Sequence, residues 1–127
     1  MNVLDASALL AFLQGERGAD VVEAALATES RCGAANWSET AQRVLASGAD
    51  WGLACALLQA YELRVEPVIA ADAEWAAMRW RSGEGLSLGD RLCLALGERL
   101  GATVWTADTA WGSTDMIRQI RNGSSKG

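Results

Sequence analysis

The chain has 127 residues, half of them hydrophobic, and a formal net charge of −5. This length predicts one domain with a real core, and the acidic balance excludes nucleic-acid binding through bulk charge alone. The absence of histidine excludes a Ser-His-Asp triad and a histidine general base, and it argues against the usual Cys/His zinc site.

The N-terminus carries no basic leader, and no apolar run approaches the ~20 residues of a membrane span. We therefore expect a soluble cytoplasmic protein without a membrane partner. Cys32, Cys55 and Cys93 are widely spaced and are expected to be small buried hydrophobes in a reducing compartment. The single lysine, Lys126, lies near the C-terminus, which excludes a P-loop.

In the first half of the chain, residues 2–4 predict a short buried strand, followed by a helix in SALLAFLQG. A second helical pattern runs through ADVVEAALA, and RCGAA is a weak strand candidate. The segment NWSETAQRVLASG predicts a helix from Asn36 to a stop at Gly48. The next predicted helix, DWGLACALLQAYE, has Asp50 as its cap.

In the second half, LRVEPVIA predicts a strand whose pairing ends at Pro67. ADAEWAAMRWRSG is helical and stops near Gly83. The helix that follows is capped by Ser87 and closed by Gly101. ATVWTAD predicts a strand and a turn, and DMIRQIR predicts a last edge strand.

Because predicted strands alternate with helices, we expect a three-layer α/β domain with a mainly parallel sheet. Residues 1–121 are predicted to form this single domain. Residues 122–127 are rich in glycine and serine and are predicted to be a flexible tail.

Four acids fall at similar junctions of the predicted fold. Asp5 and Asp108 each follow a strand, whereas Glu39 and Asp90 each lie three residues after a predicted helix start. Capping explains each acid taken alone. In a parallel sheet, however, these junctions share one edge, which is where ligands bind. Oxygen ligands without histidine or thiolate suit Mg²⁺ or Mn²⁺, so the four acids together predict a divalent-metal site.

The motifs MNVLDASALL, NWSE, LSLGDRLCLALGERLG and VWTADTAW resemble those of the PIN-domain ribonucleases, and most of all the VapC toxins of toxin–antitoxin pairs. The resemblance runs from the first residue to about Arg121. It implies an α/β/α PIN-like fold with Asp5, Glu39, Asp90 and Asp108 as the acidic tetrad of the family.

The resemblance also implies Mg²⁺- or Mn²⁺-dependent endonucleolytic cleavage of RNA, tRNA prominently, leaving a 5′-phosphate and a 3′-hydroxyl. Asp5, Asp90 and Asp108 would mainly coordinate metal, and Glu39 would be a ligand or orient the attacking water. The expected partners are a cognate VapB-like antitoxin across the groove and a second copy in a homodimer.

Further residues carry less specific signals. Ser7 and Thr106 occupy positions where the family often has a small hydroxyl residue. Arg91 is expected to bond either a phosphate or a neighbouring carboxylate. Asp115 is either a supporting acid of the site or a surface acid.

The six tryptophans are mostly expected in the core or at interfaces, with Trp37 the best candidate for base stacking. Arg79 and Arg81 flank Trp80 and suggest RNA contact, although a solvated helix face is the favoured interpretation.

Two alternatives remain open. One is a non-catalytic PIN-like module that binds RNA or a protein, against which the intact tetrad argues. The other, a phosphatase of the haloacid dehalogenase type, needs a second aspartate two residues after the first, where this chain has Ser7.

Overall fold

The computed structural model describes residues 1–121, so the predicted flexible tail at 122–127 lies outside the described residues. Within this part, five strands alternate with six helices. In chain order they are β1 (Asn2–Leu4), α1 (Ala6–Leu13), α2 (Ala19–Leu26), β2 (Ser30–Gly33), α3 (Ala34–Ala46), α4 (Trp51–Ala60), β3 (Arg64–Glu66), α5 (Ala70–Met78), α6 (Leu88–Leu100), β4 (Thr103–Thr106) and β5 (Ile117–Gln119).

All neighbouring strands of the sheet are parallel, in the order β3-β2-β1-β4-β5. The predicted three-layer fold with a parallel sheet is confirmed. The chain moves outward from β1 to β3 and then returns to build β4 and β5 on the other side of β1. The strand order therefore reverses beside β1, and in such sheets ligands bind at this point, outside the carboxyl ends of the strands. We call that side the carboxyl edge.

The last two residues of β1 pack into different layers of the core, because successive side chains of a strand point to opposite faces of the sheet. Leu4 belongs to a buried cluster with residues of α1, α2 and α4. Val3 belongs to a second cluster with Val104 of β4 and with α6. The sheet is therefore covered on both faces, as its all-parallel pairing requires.

Helix α6 approaches β4 closely at Gly97, where an added Cβ would lie 2.3 Å from Val104 Cγ2. Gly97→Ala is expected to lower the free energy of unfolding by about 1–3 kcal/mol, because overpacking exceeds the gain in helix propensity of about 1 kcal/mol. Urea denaturation measures the change. The exposed neighbour Glu98 provides the control, since Glu98→Ala should stay within about 0.5 kcal/mol of the parent. Equal stability of both variants would contradict the close packing.

Helix α3 begins at Ala34, two residues before the predicted start at Asn36. The reason is tertiary. Asn36 is buried inside the helix, and its amide donates to Glu39 in α3 and to the Gly89 carbonyl in α6, so it does not cap the helix. Gly33 in extended conformation precedes the first turn. The weak strand candidate RCGAA is accordingly shifted, and β2 ends at Gly33.

Helix α5 ends at Met78, earlier than the predicted stop near Gly83. The following segment is a loop with Gly83 and Gly85 at positive φ, and Arg79 pairs with Glu84 across it at 2.7 Å. These interactions turn the chain back towards α6, which a continued helix would prevent.

Other boundaries follow local signals and are confirmed. Asp50 caps α4, β3 ends before Pro67, Ser87 caps α6, and Gly101 ends α6 at a φ of 61°. Within residues 1–121, none of the helices has the length and apolar character needed to cross a bilayer.

The three cysteines are unpaired by disulfide. Cys32 and Cys93 are buried, as predicted, whereas Cys55 is half-buried.

Candidate functional site

A cavity of about 350 Å³ opens at the carboxyl edge, and all four predicted acids line it. Four separate stretches of the chain contribute them. The complete lining is Asp5, Ala6, Ser7, Leu10, Asn36, Glu39, Gln42, Arg43, Asp90 and Asp108. The topology of the sheet therefore brings together the residues that the sequence places at equivalent junctions.

Asp5 and Asp108 reach the cavity as capping residues directly after two adjacent strands. Asp5 follows β1 and accepts a hydrogen bond from the Ala8 amide at 2.8 Å. Asp108 follows β4 and accepts one from the Ala110 amide at 2.9 Å, at the start of a 3-10 turn. The caps account for the local conformation, and they also hold both carboxylates at the same edge.

Asp90 occupies the third position of α6 and forms a capping box with Ser87. Its Oδ2 accepts from the Ser87 amide at 2.9 Å, and the Asp90 amide donates to Ser87 Oγ at 3.0 Å. Only one carboxylate oxygen is used in this way. Because α6 starts at the carboxyl edge, the capping residue also lines the cavity.

Glu39 is not positioned by a helix cap, because Asn36 does not form the predicted cap of α3. The Asn36 amide instead donates to Glu39 Oε1 at 3.0 Å and to the Gly89 carbonyl at 3.3 Å, and this joins α3 to the start of α6. A Cβ at Gly89 would lie 3.0 Å from both Glu39 carboxylate oxygens. The missing side chain at Gly89 thus leaves room for Glu39 beside Asp90.

Asp5 is the most buried of the four acids, with 4% of its surface exposed. Burial raises the pKa of its carboxyl from 3.8 to about 6, and the negative charge of Asp90 adds to this effect. Hydrogen bonds from Thr106, Ala8 and Ser7 oppose the rise only in part. A desolvated carboxylate beside a second negative charge is the environment that a cation would stabilise most.

Ser7 and Thr106, the two predicted hydroxyl residues, both hold Asp5. Ser7 Oγ donates to Asp5 Oδ1 at 2.8 Å, and Thr106 Oγ1 donates to Asp5 Oδ2 at 2.6 Å. The same hydroxyls accept from the backbone amides of Ala107 and Asp108, at 2.9 and 3.0 Å. They therefore fix the end of β4, and with it Asp108, relative to Asp5.

With the RNA cleavage expected from the sequence as the readout, Thr106→Val should lower the rate by about 10–100-fold, the usual effect of losing a group that orients a metal ligand. Valine keeps the buried shape and removes the hydroxyl, whereas Thr106→Ser keeps the hydroxyl and should restore most of the activity. Initial cleavage rates of both variants, with circular dichroism as the folding control, provide the measurement. Equal rates for the valine and serine variants would contradict this role for Thr106.

The structure does not bring Arg91 into the cavity. Its Nη1 donates to the Ala76 carbonyl at 2.6 Å, and within residues 1–121 it forms no ion pair with a carboxylate. The helical turn directs the residue after Asp90 towards α5, whose last carbonyls lack helical partners and favour a cation. Asp115 is exposed and does not line the cavity, which agrees with a surface acid.

Trp37 is half-buried, and its ring centroid lies 5.0 Å from that of Trp51 in an edge-on arrangement. It is therefore a packing residue in this structure and does not line the cavity. Trp80 is 57% exposed and lies beyond the end of α5. The predicted solvated helix face around it is a loop.

Sequence reasoning missed Gln42 and Arg43, which line the cavity beside Glu39. Residues three and four positions apart share a helix face, so the spacing from Glu39 carries the signal that could have found them. The role of Asn36 had no comparable local signal, because its second partner, the Gly89 carbonyl, is 53 residues away.

The donor set suits a hard divalent cation, because the potential ligands in the lining are carboxylate, hydroxyl and amide oxygens, without imidazole or thiolate. Asn36 Oδ1 is buried there and has no hydrogen-bond donor among residues 1–121. Within this part of the chain, however, no three acidic or cysteine side chains are gathered closely enough to share an ion. Binding an ion therefore requires some of the carboxylates that line the cavity to turn towards one another.

Comparison with known proteins identifies the family and the fold of the chain. The PIN domain family model matches residues 3–115. A structure described as a toxin–antitoxin complex from Klebsiella pneumoniae is similar with a TM-score of 0.76 and 16% identity, over 94% of this chain and 98% of that chain. The toxin VapC20 of Mycobacterium tuberculosis, which cleaves the sarcin-ricin loop, is similar with a TM-score of 0.70 and 19% identity, over 91% of this chain and 98% of its own.

No curated protein sequence matches the chain significantly. The TM-scores show that the chain shares its fold with the two structures, and identities below one fifth show no more than that. The family model, in contrast, covers most of the chain. The resemblance to the PIN domain family is therefore confirmed, and the chain belongs to that family.

Proposed function

We propose that the protein is an endoribonuclease toxin of the VapC type that depends on Mg²⁺ or Mn²⁺ and cleaves RNA phosphodiester bonds. The observation that carries the proposal is the meeting of Asp5, Glu39, Asp90 and Asp108 in one cavity beside the central strand. Membership of the PIN family and the fold shared with toxin structures support it.

In this proposal Asp5, Asp90 and Asp108 hold the ion, which when bound lowers the pKa of water and neutralises phosphate charge. Glu39 is either a further ligand or orients the attacking water. Asn36 supports the second role, because its bond to one oxygen of Glu39 fixes the carboxylate at the cavity wall. Ser7 and Thr106 hold Asp5 and do not take part in the reaction themselves.

The proposal includes three further features of a VapC-type toxin: a cytoplasmic location, a cognate VapB-like antitoxin and a homodimer. An acidic cavity suits an arginine or lysine side chain of an antitoxin. Exposed apolar residues on α4 and at the end of α5, among them Leu53 and Met78, support protein interfaces on these helices.

The test incubates the purified protein with total RNA, tRNA, DNA and a chromogenic phosphomonoester, in Mg²⁺, Mn²⁺ or EDTA. We expect RNA fragments with 5′-phosphate ends in either metal and none in EDTA. RNA binding without cleavage would instead favour the non-catalytic PIN-like module, and release of the chromophore would favour a phosphatase. Sequencing RNA ends after brief expression in cells then identifies the target.

A further inference from the structure

A second cavity of about 300 Å³ adjoins the acidic one at the carboxyl edge. The two cavities share Ser7, Leu10 and Arg43 in their linings, so they lie side by side, and we call the pair the groove. Gln14, Glu16, Ala107 and Arg121 line only the second cavity.

The charge of the groove changes along its length. The first cavity holds four carboxylates, whereas the second is lined by two arginines and a single acid, Glu16. Glu16 is paired with Arg121 at 3.1 Å, and Arg121 Nε also donates to the Arg17 carbonyl at 2.8 Å. The charge of Arg121 is thus balanced by Glu16. The net positive charge of the second cavity therefore comes from Arg43.

Arg43 is exposed, and its guanidinium forms no hydrogen bond or ion pair with any other residue in the range 1–121. It lies four residues after Glu39, a spacing at which opposite charges on a helix usually pair. Here Glu39 accepts from Asn36 instead. The arrangement leaves an uncompensated cation at the border between the acidic and basic parts of the groove.

We propose that Arg43 binds a backbone phosphate of RNA next to the one held at the acids, so that the strand runs from the acidic cavity towards Arg121. This inference rests on the proposed ribonuclease function and adds a positioning residue to it. A guanidinium matches the oxygens of a phosphate in a bidentate geometry. In a protein of net charge −5, attraction of a polyanion has to come from local cationic side chains such as Arg43 or from a bound metal ion.

The test measures RNA binding separately from cleavage. A fluorescein-labelled, single-stranded 20-nucleotide RNA of mixed sequence is titrated in EDTA between about 50 and 200 mM KCl, and anisotropy reports affinity. Arg43→Gln should weaken binding about tenfold and reduce the slope of log affinity against log salt by about 0.7, the loss of one phosphate contact. Arg43→Lys should retain the slope, because it keeps the charge.

Arg64 provides the matched control. It is exposed on β3, and its side chain takes part in none of the ion pairs found within residues 1–121. Arg64→Gln removes the same charge from the molecule outside the groove and should leave affinity and slope unchanged.

Equal losses in Arg43→Gln and Arg64→Gln would overturn the inference, because net charge alone would then govern binding. Unchanged RNA binding with weaker binding of a polyglutamate peptide would also overturn it and assign Arg43 to an acidic protein partner. Failure of the parent protein to cleave RNA in Mg²⁺ would contradict the proposed function, while the anisotropy result would still decide the role of Arg43.

Discussion

Asp5→Asn and Asp90→Asn are each expected to lower Mg²⁺-dependent RNA cleavage by more than about 100-fold, beyond the usual loss for a group that only orients a ligand. Asparagine keeps the size of the side chain and one carbonyl oxygen, so both caps can still form. It removes the negative charge, and with it the attraction for a divalent cation. Initial rates of RNA cleavage measure the effect, and circular dichroism confirms the fold.

Asp115 provides the control for these variants, because it is an exposed acid that does not line the cavity. Asp115→Asn changes the net charge by the same amount and should retain the parent rate. The double variant of Asp5 and Asp90 should lose little more activity than either single one, since both carboxylates act on one ion. Full activity in both single variants would refute the assignment of the acids.

In EDTA at pH 7, Asp5→Asn is expected to raise the free energy of unfolding by about 3 kcal/mol. The pKa of Asp5 rises from 3.8 to about 6, first because burial disfavours its charge, and each pKa unit corresponds to about 1.4 kcal/mol. The side chain would thus be a source of instability in the metal-free protein. A bound cation would offset this cost by stabilising the charged carboxylate.

The pH dependence of this effect has a defined sign. The folded state keeps the Asp5 proton up to about pH 6, whereas the unfolded state loses it near 3.8. Between these values the folded state binds more protons, so the stability of the parent relative to Asp5→Asn falls as the pH rises and is constant above about 6.

Thermal unfolding of the two proteins in EDTA, at intervals from pH 3 to pH 8, measures that difference. Asp115→Asn should follow the parent, and Mg²⁺ should stabilise the parent at pH 7 but not Asp5→Asn. A parent that stays as stable as Asp5→Asn across the whole range would contradict the burial effect.

Those parts of the fold that depend on neighbouring residues could be predicted from the sequence. The cap of α6 at Ser87 and its end at Gly101 depend on hydrogen bonds within a few residues and on the conformational freedom of glycine. The start of α3 could not be predicted in this way. Asn36 has the residue type of a cap, but its amide bonds to the Gly89 carbonyl across the site.

In the candidate site, too, some residues could be predicted from the sequence and others depend on contacts between distant parts of the chain. Asp5 and Asp108 could be placed together because parallel strands end at one edge, a property of the sheet that strand and helix alternation already predicts. Arg43 could not, because its role depends on which face of α3 borders the cavity. The contact of Arg91 with the end of α5 could not be predicted for a related reason, since its partner Ala76 lies 15 residues away.

Anomalous X-ray diffraction from crystals of the protein soaked in MnCl₂ shows whether the acids bind a divalent ion, because it locates the ion without requiring a known RNA target. We predict a manganese peak in the cavity, at coordinating distance from carboxylate oxygens of Asp5, Asp90 and Asp108. A cavity without manganese at saturating MnCl₂, or manganese bound only elsewhere on the protein, would contradict it.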